Sequence, residues 1–336
     1  MKSYNVGILG ATGAVGQEML KVLGERNFPI NELRLLASPK SVGKKVMFSG
    51  KEYEVQLASH EAFDGLDIVL GAASNKVAKE FAPSIVKAGA VFIDNSSAFR
   101  MDENVPLVVP EINPEDVFKN KGIIANPNCS TIITLVAVNA INKMSKIKAM
   151  VASTYQATSG AGAEGPVELM NQMNALVNGG EINPQVFQYQ IAANVIPHIG
   201  SFLENGYTTE EMKMQNEGRK IMHLPELNVS CTCVRVPVVR SHSISVSLVT
   251  EDKLNIEDVK KAIASEKGCK LYDDLENKLY PMPLVTSDQD LVYVGRIRKD
   301  LLNENGIALW CCGDQVRKGA ATNAVQIAMK LVGLDD

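Results

Sequence analysis

Positive charge is in short supply. Lys and Arg total 34 against 38 Asp and Glu, a net charge of −4. A protein whose main partner is nucleic acid needs a basic surface to neutralise phosphate, and this chain lacks one. Long apolar runs are missing too, since none approaches the ~18 residues that a membrane helix requires. The opening stretch carries Lys2 and a short apolar run cut by Gly7 and Gly10, unlike a secretory signal. Secretion, membrane insertion and nucleic-acid binding are therefore not expected; the expected compartment is the cytoplasm. The six cysteines are too few for a disulfide scaffold at this length. They do not form a metal site either. C-x-x-C spacing is absent, Cys231 and Cys233 would share one face of a β-branched run, and Cys311 and Cys312 would face opposite ways. Those four and Cys269 read as small core hydrophobes. Internal repeats and low-complexity segments are absent.

What is present suits a globular chain of about two domains: 336 residues, 46% hydrophobic and 21% charged. The first third alternates short apolar runs with helical patterns. Tyr4–Leu9, Leu33–Ala37, Asp67–Gly71, Ala90–Ile93 and Leu107–Val109 read as strands. Val15–Leu23 and Lys76–Lys87 read as helices, with Pro83 leaving the second uncertain at its middle. That alternation predicts a parallel sheet with helices on both faces. From about Lys146 long β-branched runs appear, namely Val151–Thr158, Val229–Val239, Ser243–Val249, Leu291–Ile297 and Ile307–Cys312. Helical stretches at Gly165–Val177 and Thr209–Met222 interrupt them. The expected fold class is thus α/β: a Rossmann-type dinucleotide-binding domain plus an α+β domain with a mostly antiparallel or mixed sheet. The first domain is placed at 1–127 and completed by a C-terminal helix in 318–336, the second at 128–317.

Gly10-Ala11-Thr12-Gly13-Ala14-Val15-Gly16 follows the first strand and opens a helix. Glycines at that junction allow a tight turn and close approach of backbone N–H groups to a pyrophosphate. Gly10, Thr12, Gly13, Ala14 and Val15 are therefore candidate cofactor residues. At the end of the second strand an NAD site would often present an acid to the ribose hydroxyls. Here the chain reads Ser38-Pro39-Lys40-Ser41, with Lys44 and Lys45 following. Hydroxyls and lysines suit a 2′-phosphate, so Ser38 and Ser41 point to NADP.

Asn126-Pro127-Asn128-Cys129-Ser130-Thr131 precedes an apolar helical run. Asn128 is a good N-cap, which places Cys129 at a helix N-terminus. Free N–H groups and the helix dipole there favour a thiolate and an oxyanion formed beside it. A nucleophilic Cys passing a hydride needs an acid/base partner. Of the four histidines, His242 sits among β-branched residues with Arg235 nearby. On one continuous strand the two would face opposite ways, so a turn or bulge near Pro237 must intervene if both reach one site.

Together these residues carry a resemblance. The chain resembles the aspartate-β-semialdehyde dehydrogenase family from end to end. It does so through the Gly10–Gly16 loop, Asp94-Asn95-Ser96-Ser97-Ala98-Phe99-Arg100, the Cys129 motif, Gln156-Ala157-Thr158-Ser159-Gly160, Glu210-Glu211-Met212-Lys213 and the Arg235 to His242 spacing. The resemblance implies Cys129 as nucleophile, His242 as acid/base and Gln156 as the group orienting the substrate carbonyl. It implies Arg235 for the α-carboxylate, Glu210 for the ammonium, Arg100 and Lys213 for phosphate, and Asn128 beside the substrate. Ser159, Gly160 and Gln315 would touch the cofactor, and no metal is expected. It further implies a homodimer, tetrameric in some members, and a role in making lysine, threonine and methionine. Aspartyl phosphate carries one carboxylate, one ammonium and one phosphate, which this set of charges suits independently. An N-acetyl-γ-glutamyl-phosphate reductase would leave Glu210 without a role, and a non-catalytic NADP sensor has no use for the Cys and His.

Overall fold

The computed structural model describes residues 2–334. It divides into two compact units, one of residues 2–128 with 320–334 and one of residues 129–319. The breaks fall after Asn128 and after Gly319, one and two residues from the 127 and 317 expected from the sequence.

The first unit is built on strands β1 (Tyr4–Leu9), β2 (Ile30–Ala37), β3 (Lys45–Phe48), β4 (Lys51–Glu54), β5 (Gln56–Leu57), β6 (Ile68–Gly71), β7 (Val91–Asp94) and β8 (Ile123–Ala125). β3 and β4 form a separate hairpin. The other six form an all-parallel sheet in the order β5-β2-β1-β6-β7-β8, the doubly wound arrangement of dinucleotide-binding folds. Helix α1 (Ala14–Glu25) buries Met19, Val22 and Leu23 against Val6, Ile8 and Leu35, at about 1.5–3 kcal/mol for each side chain. The C-terminal helix Thr322–Leu331 packs Ala324, Val325 and Ala328 into the same cluster. Helix α2 (Asn75–Lys87) covers the opposite face with Phe81 and Ile85. Its Pro83 is tolerated because both Pro83 and Lys79, whose carbonyl loses its usual partner, lie on the exposed side.

One expected strand needs correction. Leu107–Val109 makes only an isolated bridge, Leu107 to Ala125. Pro106 and Pro110 bracket those three residues and deny the ladder its donors. The sixth strand is instead β8, a short apolar triplet before the cysteine motif.

The second unit opens with helix α3 (Cys129–Met144), buried on all sides from Ser130 to Ile141. Then follow β9 (Ile147–Gln156), α4 (Glu164–Asn178), α5 (Thr209–Ile221), β10 (Asn228–Arg235), β11 (His242–Thr250), α6 (Ile256–Ser265), β12 (Cys269–Leu271), β13 (Val292–Lys299) and β14 (Gly306–Gly313). The sheet is mixed, in the order β10-β9-β11-β14-β13-β12, with β10–β9 and β12–β13 parallel and the remaining pairs antiparallel. Strand alternation turns Met150, Ala152 and Thr154 of β9 inward, while Val151 and Tyr155 face out. Helices α3, α5 and α6 pack on the sheet. On the outward face Tyr155 and Trp310 bring their rings to 5.3 Å.

Candidate active site

Sheet topology gathers the candidate residues. β9 ends at Gln156 and parallel β10 ends at Arg235, in register with it. The chain then leaves the sheet through residues 236–241, with Ser241 at φ 75°, and re-enters as β11 on the other side of β9. β11 runs antiparallel and starts with His242, so Gln156, Arg235 and His242 all stand at one end of the sheet. The alternation problem posed by Arg235 and His242 disappears because they belong to different strands.

The Ala157 peptide holds two of these side chains. Its N–H donates to His242 Nδ1 at 3.0 Å, and its carbonyl accepts from Arg235 Nη1 at 2.6 Å. Gly160 then passes so close that a Cβ there would lie 2.8 Å from Arg235 Nη1 and 3.1 Å from His242 Nε2. Helix α5 adds two charges. Thr208 and Glu211 form a capping box, and Glu211 also accepts the Cys233 N–H at 3.0 Å, which ties the helix to β10. That fixes Glu210, whose carboxylate accepts from Lys213 Nζ at 2.7 Å and from Gln156 Nε2 at 3.3 Å.

Cys129 is half-exposed, whereas the other five cysteines are buried. An ideal Cβ on Gly319 would stand 2.9 Å from the Cys129 Cβ, so a glycine is what lets the backbone pass the nucleophile. Burial disfavours the Arg235 charge, and Cys129, Glu210 and Cys233 act in its favour. Phe187 presents its ring 5.9 Å from the guanidinium. Gln315 hydrogen-bonds Ser159 and accepts the Ser241 N–H at 2.8 Å.

Arg100 and Asn128 belong to the first unit. Arg100 is buried, with Nε on the Asn126 carbonyl and Nη2 on the Asn95 carbonyl, both at 2.9 Å. Beside them, burial pushes the Asp94 carboxyl up while Ser96 and Arg100 act in the other direction. In the glycine loop Gly10 adopts φ +89°, and a Cβ there would meet the Ala72 carbonyl oxygen at 2.5 Å. Gly13 precedes α1 with no side-chain cap, leaving the N–H groups of Ala14 and Val15 at the helix start. Thr12 Oγ1 meets Ser41 Oγ at 3.2 Å, which joins the glycine loop to the turn containing Ser38 and Lys40. That turn offers hydroxyls and an exposed lysine but no carboxylate, a donor set that fits a phosphorylated ribose.

The Ala157 peptide and Gly319 were missed in the sequence. A backbone contact leaves no residue-type signal, and Gly319 could be noticed only as a glycine entering the last helix.

Burial and the neighbouring Arg235 push the His242 pKa down from 6.5 to about 3, with Glu210 opposing them. The unfolded chain therefore binds a proton that the folded chain refuses. The contribution to stability is full above about pH 6.5 and is lost as pH falls toward about 3, by up to about 1.4 kcal/mol per pH unit. Urea midpoints should fall across that window, and less steeply in His242→Gln. Equal slopes in the two proteins would refute the assignment.

A thiol at the head of a buried helix, with Gln, Arg and His held near it, belongs to a class of oxidoreductases, the semialdehyde dehydrogenases. Residues 5–120 match the family model "Semialdehyde dehydrogenase, NAD binding domain", and residues 138–318 match "Semialdehyde dehydrogenase, dimerisation domain". The chain belongs to the aspartate-semialdehyde dehydrogenase family. It is 53% identical to the aspartate-semialdehyde dehydrogenase of Aquifex aeolicus, covering 98% of each chain, and 49% identical to that of Bacillus subtilis, covering 99% of each. Among solved structures it is similar to aspartate semialdehyde dehydrogenase II complexed with ASA from Vibrio cholerae. The identity is 45%, coverage is 99% of each chain and the TM-score is 0.97.

Proposed function

We propose that this chain reduces L-aspartyl 4-phosphate to L-aspartate 4-semialdehyde with NADPH, releasing phosphate. The observation that carries the reading is the cluster at one end of the mixed sheet: a half-exposed thiol, a buried arginine, a buried histidine and a Glu–Lys pair. Cys129 Sγ attacks the acyl carbonyl, and phosphate leaves to give a thioester on the chain. NADPH when bound supplies the hydride. Gln156 orients the substrate carbonyl, and His242 acts as the acid/base. Arg235 binds the α-carboxylate with its planar fork. Glu210, already holding Lys213, takes the substrate ammonium as a second cation. Lys213 and Arg100 receive the phosphate, and Asn128 binds the substrate beside Cys129. Gly10, Thr12, Gly13, Ala14 and Val15 hold the pyrophosphate. Ser38 and Ser41 meet the 2′-phosphate, and Ser159, Gly160 and Gln315 touch the cofactor.

We infer a cytoplasmic enzyme that serves the synthesis of lysine and diaminopimelate, threonine and methionine. We further infer a homodimer formed through the outward face of the mixed sheet. Small Ser153, Ser245 and Ser247 there surround the Tyr155–Trp310 pair, a surface suited to a second copy.

Phosphate-dependent reduction of NADP with L-aspartate semialdehyde, run beside N-acetylglutamate semialdehyde, tests the reading. Turnover with the first substrate alone is expected. Turnover with the acetylated substrate would mean that Glu210 has been misassigned. NADP binding without turnover of either would favour a sensor.

A further inference from the structure

We propose that Asn95 is a further phosphate-binding residue, its side-chain Nδ2 held outward beside Arg100 by a relay of amides running from Asn323 of the C-terminal helix through Asn126. The inference deepens the proposed function and rests on it for Arg100 as a phosphate residue.

Sheet register sets up the relay. β7 and β8 are parallel neighbours with Asp94 opposite Ala125, so the next residues, Asn95 and Asn126, leave the sheet side by side at its carboxyl end. That end is where doubly wound folds bind their ligands. The Asn95 N–H donates to the Gly71 carbonyl at 3.1 Å and the Asn126 N–H to the Asp94 carbonyl at 2.8 Å, which fixes both backbones. Their own carbonyls hold Arg100: Asn95 accepts from Nη2 and Asn126 from Nε, both at 2.9 Å. The guanidinium and the two asparagines therefore form one block of the first unit.

The side chains of this block carry a direction. Asn323 and Asn126 are wholly buried. Nδ2 of Asn323 donates to the Val108 carbonyl at 2.9 Å and to Asn126 Oδ1 at 2.7 Å. Nδ2 of Asn126 donates to the Ala320 carbonyl at 3.3 Å and to Asn95 Oδ1 at 2.6 Å. A backbone carbonyl can only accept, so Val108 and Ala320 each settle which way an amide faces. Reversing either amide would set two buried oxygens against each other. With Oδ1 of Asn95 committed to Asn126, its Nδ2 is the end turned away from the relay. Asn95 is half-buried, and that Nδ2 has no hydrogen-bond partner among the described residues.

A neutral donor presented with a guanidinium suits a phosphate oxygen. The arginine supplies the charge, and the amide adds a hydrogen bond that fixes orientation without a second cation to desolvate. Asn126 and Asn323 touch no ligand in this arrangement; they are positioning residues that act through Asn95.

The test measures KM for inorganic phosphate in the oxidation of aspartate semialdehyde, with KM for the aldehyde and for NADP taken alongside. Asn95→Ala should raise the phosphate KM about tenfold, and Asn95→Asp, which turns an acceptor outward, about 10²-fold. The other two constants should stay within about twofold. Asn323→Leu keeps the size of the side chain and removes its amide. It should raise the phosphate KM about fivefold in the wild-type background and less than about twofold in Asn95→Ala, because it acts through Asn95. Should Asn323→Leu fail to fold, Asn126→Asp, which keeps an acceptor for Asn323 and loses the donor to Asn95, takes its place in the same comparison. An unchanged phosphate KM in Asn95→Ala, a rise confined to the KM for NADP, or a relay effect that survives undiminished in Asn95→Ala would overturn the proposal. A wild-type chain that fails to turn over aspartate semialdehyde would instead defeat the functional reading. The Kd of inorganic phosphate from ³¹P line broadening still decides Asn95 in that case: about tenfold weaker binding in Asn95→Ala is expected, and equal binding would overturn the assignment.

Discussion

Cys129→Ser is expected to lower phosphate-dependent turnover by at least about 10⁴-fold, while NADP binding and the unfolding midpoint change little. Serine fits the same volume, so the backbone passing at Gly319, whose Cβ would lie 2.9 Å from the Cys129 Cβ, is undisturbed. What is lost is the thiolate. A hydroxyl at this position stays protonated at neutral pH and makes a poor leaving group when the aldehyde must depart. Alkylation offers a parallel readout. One equivalent of iodoacetamide should react quickly with the wild type and not with the variant. The contact with Cys233, together with burial, pushes the Cys231 thiol up, and burial does the same at Cys311 and Cys312, which keeps them inert. Turnover within tenfold of wild type, or a fast thiol surviving in Cys129→Ser, would remove Cys129 as nucleophile.

The same residues show where sequence reading succeeds. Strand β1, the glycine loop and helix α1 form one local unit whose periodicity switches from two to 3.6 within a few residues, so pattern alone places it. The long β-branched runs of the second unit are legible for the same reason, and their mixed pairing was anticipated. The strand at Leu107–Val109 failed because apolar content outweighed the flanking prolines, while the true edge strand Ile123–Ala125 is only three residues long. In the site, charged and thiol side chains announce themselves by type. The peptide that orients them does not: Ala157 has no polar side chain, and its role exists only once β9, β10 and β11 are side by side. Arg235 and His242 illustrate the limit from the other direction. Seven positions apart, they require a break near Pro237, which the sequence shows, but that β9 lies between their two strands does not follow from the sequence.

Arg235→Lys should raise KM for aspartate semialdehyde by about 10²-fold or more with a smaller change in kcat, because the carboxylate clamp is lost and the charge is kept. Arg235 is buried at 6% exposure and forms no ion pair among the described residues. Its hydrogen bond to the Ala157 carbonyl, at 2.6 Å, uses one of the five N–H donors of a guanidinium. A buried cation with a neutral acceptor is costly to maintain, and a substrate carboxylate relieves that cost when it arrives. Lysine supplies a point charge without the fork. It also gives up the planar contact with Phe187 and has to choose between the Ala157 carbonyl and the ligand. An aldehyde lacking the α-carboxylate separates the two roles that Arg235 could play. If the guanidinium acts by binding the carboxylate, wild type and Arg235→Lys should handle that poor substrate equally well. If instead the arginine acts mainly through its charge interaction with Cys129, Arg235→Ala should slow both substrates alike and lower the rate of thiol alkylation. KM unchanged with kcat reduced on the natural substrate would point to the second role and move the carboxylate site elsewhere.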